Sequence, residues 1–280
     1  MRPFIAHPTL CVTEQLGSQM WHFAAMVAIA KRSGHRILFF EEHVSVGKGL
    51  QLHRHFNALP MSLVSIESLR PDERVHQVYP VRQGVIVDSG VFQLDSRANY
   101  GFQGLFLSYR YWYPIRHEVA AMYSFSEAVR REAAKVLEPA RRRGRPVVSV
   151  HVRRSDYLNG VFVNANADYY RAALGLFANL PVTCLVFSDD MAWCRDAFAG
   201  HDDVLFAEGH PPIVDMAAMS ACDHHVIANS SFSFWGAFLN PSRDKRIVCP
   251  ARTVKNDAAL PHANYAWYPD DFIGIDTGNA

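Results

Sequence analysis

The sequence predicts a two-lobed α/β protein, on three observations. Through the second half, short apolar strands alternate with helix-length amphipathic segments, the pattern of a parallel sheet clothed by helices on both faces. The breakers Gly144 and Pro146 set that half apart from a first half of poorer periodicity. The length, 280 residues, suffices for one large domain or two ordinary ones. An N-terminal lobe over residues 1–140 and a C-terminal lobe over 141–280 follow.

In chain order, residues 18–33 are nearly all apolar or helix-forming around Met20, Trp21, Phe23, Met26, Val27 and Ile29. They read as a buried helix that stops at Gly34. Residues 36–40 read as a strand, and shorter β-rich pieces fall near 63–66, 75–79 and 85–87. A helical pattern over 124–143 is broken at Pro139. Beyond Pro146, strands are expected at 147–152, 183–187, 204–206, 225–228 and 246–249. Helices are expected between them at 168–178, 190–198, 213–221 and 232–239, the last ended by Asn240-Pro241. No internal repeat or low-complexity segment interrupts this order.

Bulk properties exclude several classes. Net charge is +1, which argues against a nucleic-acid partner or an acidic lipid surface. Basic residues do cluster at Arg141, Arg142, Arg143 and Arg145, which reads as a solvated helix end or as an anion site. The five cysteines show no Cys-x-x-Cys spacing, so neither zinc nor a disulfide framework is indicated, and a reducing compartment fits. No run approaches the roughly 18 apolar residues of a membrane span, and residues 1–17 carry no cleavage signature.

Ligands of open parallel sheets bind outside the carboxyl ends of the strands. Three strand ends carry polar groups here. The first is Ser149-Val-His-Val-Arg-Arg-Ser-Asp-Tyr157, which delivers His151, Arg153, Arg154 and Asp156. Adjacent arginines leaving a buried strand need an anionic partner, and a guanidinium fork matches a diphosphate. An Arg–Asp pair stitching the loop is the structural alternative. The second is Leu185-Val-Phe-Ser-Asp-Asp190, where a carboxylate could read a base or ribose, or Ser188 or Asp189 could simply cap the next helix. The third is Val226-Ile-Ala-Asn-Ser-Ser-Phe-Ser-Phe-Trp-Gly-Ala237, which brings Asn229, Ser230 and Ser231 to a helix start suited to an anion. Trp235 and Phe232 read as core there, and Gly236 as a site of close helix–sheet packing. Together the three describe a nucleotide-diphosphate pocket. The chain contains no Gly-x-Gly-x-x-Gly, no Gly-x-x-x-x-Gly-Lys and no Asp-x-Asp. A departing diphosphate must then be neutralised by fixed cations and helix dipoles.

These residues resemble the α-1,2-fucosyltransferase family, whose hallmark is a His-x-Arg-Arg-x-Asp-Tyr segment. His151-Val-Arg-Arg-Ser-Asp-Tyr157 is similar to it, with Ser155 where Gly is usual. Phe187-Ser-Asp-Asp-Met-Ala-Trp-Cys194 is similar to the second motif. Asp215-Met-Ala-Ala-Met-Ser-Ala-Cys222, followed by Ile227 through Ala237, is similar to the third. Upstream, Phe102 to Trp112 resembles an aromatic stretch of the family. The resemblance covers most of residues 100–250 and weakens at Glu14-Gln-Leu-Gly-Ser-Gln-Met20, where the family opens Gly-Gly-Leu-Gly-Asn-Gln-Met. That departure bears on the acceptor more than on the donor.

The resemblance implies a GT-B fold, two Rossmann-like lobes facing a central cleft, with GDP-fucose on the C-terminal lobe and the acceptor on the N-terminal one. It implies inversion at the anomeric carbon with no metal and no cofactor. Carried over residue by residue, Arg153 contacts the β-phosphate and is catalytic, while Ser230 and Ser231 hold the diphosphate. Asp189 and Asp215 read guanine or ribose with His151 nearby, and Arg154 and Asn229 complete the donor side. Asp156 is a candidate base, beside Glu14 and Asp95 in the less readable first half. The expected acceptor is a galactose-terminated oligosaccharide modified at O2, in a bacterial, cytoplasmic enzyme peripheral at most to the inner membrane. Two alternatives stand beside it: a fucosyltransferase of different linkage, and a binding protein for nucleotide sugars or glycans without turnover. The aromatic residues Tyr100, Phe102, Phe106, Tyr109, Tyr111, Trp112 and Tyr113 read mainly as core, with some available to stack on sugars.

Overall fold

The computed structural model describes residues 2–74, 77–158, 160, 162–255 and 267–277, with the side chain of Asp156 outside that set. These residues divide into two compact units, one running to Ser124 and including Trp267, the other starting at Phe125 and including residues 268–277. The division falls earlier than the expected boundary at 140/141. The helix between the two positions buries Ala133, Leu137 and Ala140, and Arg141 at its end pairs with Asp223, so it belongs to the second unit.

The first unit contains β1 (Phe4–Ala6), α1 (Leu10–Thr13), α2 (Leu16–Ser33), β2 (Arg36–Phe40), α3 (Leu52–His55) and β3 (Ser62–Val64). It continues through α4 (Pro71–Arg74), β4 (Gln77–Pro80), β5 (Tyr100–Gln103) and α5 (Arg116–Met122). Its five strands pair in parallel in the order β3-β2-β1-β5-β4. The long helix α2 ends as its sequence dictates: Gly34 adopts φ +79° and donates its N–H to the Ala30 carbonyl at 2.9 Å. The strand expected near 75–79 is β4, with residues 75 and 76 outside the described set. The strand expected at 85–87 is absent, and that segment is a bend. Asp88 organises the bend instead, accepting from the Arg82 N–H at 3.0 Å, the Tyr79 hydroxyl at 3.2 Å and the Gly90 N–H at 3.1 Å. The aromatic segment is core. Phe106 is fully buried, with its ring centroid 5.2 Å from Phe102 and 5.1 Å from Tyr111 in edge-on contacts, and of the group only Tyr113 is half-buried.

The second unit contains α6 (Glu127–Arg141), β6 (Val147–Val152), α7 (Ala167–Gly175), β7 (Thr183–Ser188), α8 (Met191–Ala197) and β8 (Val204–Ala207). It closes with α9 (Pro212–Ser220), β9 (His224–Val226), α10 (Ser231–Phe238), β10 (Ile247–Pro250) and β11 (Ile273–Ile275). The six strands pair in parallel in the order β11-β10-β9-β6-β7-β8. Taken from β8 this is the 3-2-1-4-5-6 order of a dinucleotide-type sheet, whose switch point lies between β6 and β9. All six residues of β6 are buried, as a strand covered on both faces requires. Val148, Val150 and Val152 pack with Tyr169, Tyr170, Phe177 and Val186.

Two expectations about helices need correction. Helix α6 is not broken at Pro139 but runs on to Arg141. The hydrogen bond this proline forfeits would have gone to Lys135, and both positions are exposed, so water can take the freed carbonyl. Gly236 serves helix–helix rather than helix–sheet packing, since a Cβ there would stand 2.9 Å from the Cβ of Met219 on α9. The basic cluster proves to be a solvated helix end. Arg142 reaches Glu138 at 2.6 Å, Arg143 the Asp202 carbonyl at 2.6 Å and Arg145 the Asp203 carboxylate at 2.6 Å. All five cysteines are free and buried. Among the described residues, no helix is long and apolar enough to cross a membrane.

Candidate functional site

Strand β6 pairs with β7 on one side and with β9 on the other, so its carboxyl end opens onto the switch point. Arg153 and Arg154 leave the sheet there. Arg153 pairs through Nη1 with Asp189 Oδ2 at 2.9 Å, both side chains about one-fifth exposed (23% and 21%). The other oxygen of Asp189 accepts the Arg154 backbone N–H at 2.9 Å. Arg154 Nε bonds Asp190 Oδ2 at 3.1 Å, and its guanidinium lies 4.4 Å from the centre of the Trp193 ring. Asp190 also caps α8, accepting the Trp193 N–H at 3.1 Å, while its own N–H donates to Ser188 Oγ at 2.9 Å. The Trp193 N–H, with Arg154 assisting, holds the Asp190 carboxyl below its usual range.

This arrangement splits the two arginines and the two aspartates by role. Arg154 is committed between Asp190 and Trp193 and stitches the β6 and β7 ends together. Asp190, rather than Ser188 or Asp189, is the cap. Asp189 accepts on both oxygens, one from the Arg153 guanidinium and one from the Arg154 N–H, and so it orients Arg153.

The third strand end meets the first through His151. Its ring centroid lies 5.7 Å from that of Phe232 in the first turn of α10. His151 is 6% exposed, and its carbonyl accepts the Tyr170 hydroxyl at 3.1 Å. Its Nδ1 is buried with no hydrogen-bond partner. Burial pushes the ring down to about 4, against the pull of Asp189, so it is neutral at pH 7. Ser230 caps α10, its Oγ accepting the Phe232 N–H at 3.3 Å, and both Ser230 and Ser231 are half-buried. The Asn229 side chain is directed elsewhere: its amide donates to the Thr253 carbonyl at 2.5 Å and ties down the turn into α10.

Asp215 comes from a different element, the first turn of α9, and is half-buried. Its Oδ1 lies 3.4 Å from His210 Nδ1. Burial raises the Asp215 carboxyl to about 6, with His210 pulling the other way. Asp156 sits in a 3₁₀ turn at Ser155–Tyr157, and its side chain lies outside the described residues. Of the other candidate bases, Asp95 is spent on a surface turn, accepting the Arg97 N–H at 2.9 Å and pairing with its guanidinium. Glu14 is half-buried just ahead of α2 and accepts the Thr13 hydroxyl at 3.1 Å. Gln19, in the same motif, is structural: fully buried, it donates to the Gly49 carbonyl at 2.7 Å and accepts the Gln51 N–H at 2.8 Å. Among the described residues, no group of three or more His, Cys, Asp or Glu side chains could hold a metal ion.

Sequence reasoning overlooked His210 and Trp193, and it read Phe232 as core. Trp193 carried a signal, as an aromatic residue one helical turn after a carboxylate facing an arginine. His210 carried none.

A guanidinium and a serine-capped helix at the switch point of a 3-2-1-4-5-6 sheet, with a second parallel-sheet unit preceding it in the chain, define an α/β protein of the GT-B type. Solved structures agree on that fold. The fucosyltransferase NodZ from Bradyrhizobium superposes with a TM-score of 0.58 at 16% identity, over 88% of this chain and 95% of NodZ. POFUT1, solved in complex with GDP-fucose, gives 0.57 at 13% identity, over 88% and 97%. The chain belongs to glycosyl transferase family 11, whose model matches residues 91–274. Alpha-1,2-colitosyltransferase of Escherichia coli is 43% identical over 105 residues, 33% of this chain and 36% of that protein. Galactoside alpha-(1,2)-fucosyltransferase 1 of Mico humeralifer is 27% identical over 247 residues, 80% of this chain and 63% of the relative. The chain thus spans between about a third and two thirds of the length of these curated relatives.

Proposed function

We propose that the protein transfers fucose from GDP-fucose, with inversion and without a metal ion, to a hydroxyl of a glycan, O2 of a terminal galactoside being the favoured position. The observation that carries this is the Arg153–Asp189 pair, 2.9 Å across, which fixes a cation at the carboxyl end of β6, next to the strand β9 that leads into α10. Departure of GDP breaks the C1–O bond and builds charge on the β-phosphate. A guanidinium fork and backbone N–H groups oriented in advance stabilise that charge without reorganising. Each such donor is worth about 3–4 kcal/mol. His151, neutral and with a free buried nitrogen, supplies a further polar contact to the donor. Asp215, at the other side of the unit's ligand-binding edge, is left to read the base. Glu14 and Asp156 remain the candidates for taking the acceptor proton, a role worth about 10²–10⁴-fold.

A second donor is favoured by one observation, the 43% identity with a colitosyltransferase. Colitose is the 3-deoxy counterpart of fucose, so the two donors share every feature that the diphosphate and base contacts would read. Calorimetry with GDP and UDP, followed by mass spectrometry of galactosides incubated with each donor, separates the possibilities. GDP binding well ahead of UDP and a product heavier by one fucosyl residue are expected. Equal affinity for UDP would remove the guanine assignment, and GDP binding with no transfer or donor hydrolysis would make the protein a binder. Turnover in EDTA should stay within about tenfold, or 1.4 kcal/mol, of turnover with Mg²⁺ or Mn²⁺. Complete loss in EDTA, restored by the cation, would overturn the metal-free mechanism.

A further inference from the structure

The turn that leads into α9 holds a histidine with no evident structural duty. His210 stands between Gly209, whose φ of +79° is left-handed, and Pro211, with Pro212 opening the helix. A residue before proline is confined to extended backbone, and a left-handed glycine ahead of it fixes the approach, so the ring is presented by a stiff tether. It faces Asp215 at 3.4 Å, Nδ1 to Oδ1. Both atoms are sealed from solvent, and neither makes a well-formed hydrogen bond. A buried carboxylate oxygen left in this state is unusual, and a ligand group that completes it is the economical explanation.

We infer that His210 is a positioning residue for the donor's nucleoside, aiming the Asp215 carboxylate and supporting its charge while that carboxylate accepts from the edge of the base. The inference rests on the proposed reading of Asp215 as the base reader. A guanine edge offers two N–H donors side by side, N1–H and the 2-amino group, and an ionised carboxylate matches both. An imidazole N–H on one flank of the same carboxylate leaves lone pairs for that edge and keeps the group from rotating. Burial alone would favour the protonated acid, and the acid cannot accept two bonds. His210 is the group that opposes this. The helices packed on α9 contribute no competing charge. Helix α10 has no ionisable side chain, and α6 turns Ala133, Leu137 and Ala140 inward. The charges of α6 are engaged elsewhere, Arg131 with Glu127, Lys135 with Glu132, Glu138 with Arg142 and Arg141 with Asp223, while Arg130 donates to the Phe125 carbonyl. Glu208, next along the turn, is held by Arg195.

The test is the affinity for GDP and for IDP, which lacks the 2-amino group, by calorimetry from pH 5 to 8. Wild type, His210→Ala, His210→Gln and Asp215→Ala are compared. Wild-type affinity for GDP should fall below about pH 6, where Asp215 takes up a proton. In His210→Ala that acid limb should move up by about half to one pH unit, a loss of about two- to fivefold at pH 6, with less than about threefold at pH 8. His210→Gln should recover the affinity at pH 8, because it can still donate, yet keep the displaced limb because it cannot carry charge. Superimposable acid limbs in wild type and both His210 variants would overturn the inference. If that happened while Asp215→Ala lost the preference for GDP over IDP, Asp215 would still be the base reader and only His210 would be dismissed. If Asp215→Ala kept the preference, the base reading itself would fall, and the role of His210 with it.

Discussion

Asp189 accepts from Arg153 with one oxygen and from the Arg154 backbone with the other, which fixes its orientation. A carboxylate held in this way aims the arginine it pairs with. Arg153→Ala should therefore lower transfer by at least about a hundredfold. Its cost in stability should be about 1–3 kcal/mol, because the pair is largely buried but the aspartate left behind keeps the Arg154 N–H and some solvent. Asp189→Asn should lower kcat by at least about tenfold while leaving the preference for GDP over UDP unchanged. Parallel kinetics and nucleotide titrations check both, and a lost nucleotide preference in Asp189→Asn would return that residue to the nucleoside. The sequence made Arg153, Asp189 and Ser230 legible because each follows directly on an apolar strand. Their division of labour was not legible, since it depends on which oxygen meets which nitrogen across two strands. Asn229 and Arg154 show the same limit: both lie in the right loops, and both are tied to neighbours, Thr253 in one case and Asp190 with Trp193 in the other.

Helices α9 and α10 carry Asp215 and the Ser230–Ser231 turn respectively, so their packing sets how far these candidate donor contacts stand apart. Gly236 permits that distance, because a methyl group on it would meet Met219 at 2.9 Å from Cβ and 3.0 Å from Cε. Gly236→Ala should destabilise by about 1–2 kcal/mol, overpacking outweighing the better helix propensity. Combining it with Met219→Ala should return less than the sum of the two losses, because the two side chains share one space. Urea unfolding of the single and double variants measures this, and strict additivity would show that the helices do not meet there. Elements were legible in proportion to their length and burial. Strands β6 and β7 are six-residue apolar runs and fell where expected. Strands β1 and β11 have three residues each and β5 four, and they lack the regular strand–helix alternation that made the equally short β8, β9 and β10 readable. The run at 85–87 has strand composition, but the Asp88 carboxylate gathers the backbone into a bend before a partner strand can. The structure divides near Ser124, ahead of the expected boundary, because Gly144 and Pro146 are stronger punctuation in the sequence than anything near Ser124.

At the scale of the whole molecule, burial holds several histidine rings neutral, among them His22 and His225, pushed down to about 3, and His151, to about 4. His225 bridges Ser149 Oγ and Asn240 Nδ2, each at 2.8 Å, and so locks β6 to β9. Because these folded values lie below the unfolded value of about 6.5, the unfolded chain takes up protons first as the medium acidifies. The stability they allow is full above about pH 6.5 and is lost progressively below it, down towards pH 3 to 4. Each ring should cost about 2 kcal/mol by pH 5, so the urea midpoint should fall sharply between pH 7 and pH 5. A midpoint unchanged over that range would mean that these rings are protonated in the folded protein. The buried thiols respond to the same desolvation in the opposite sense. Burial lifts Cys11, Cys184 and Cys194 to about 11, Cys249 to about 12 and Cys222 higher still. Since only a thiolate attacks an alkylating reagent, the native chain offers such a reagent almost nothing at neutral pH. Alkylation must then wait for the chain to open, and each modified peptide becomes a time stamp. Cys11 reports the first unit and the other four report the second, so the order in which peptides gain mass would reveal which half lets go first.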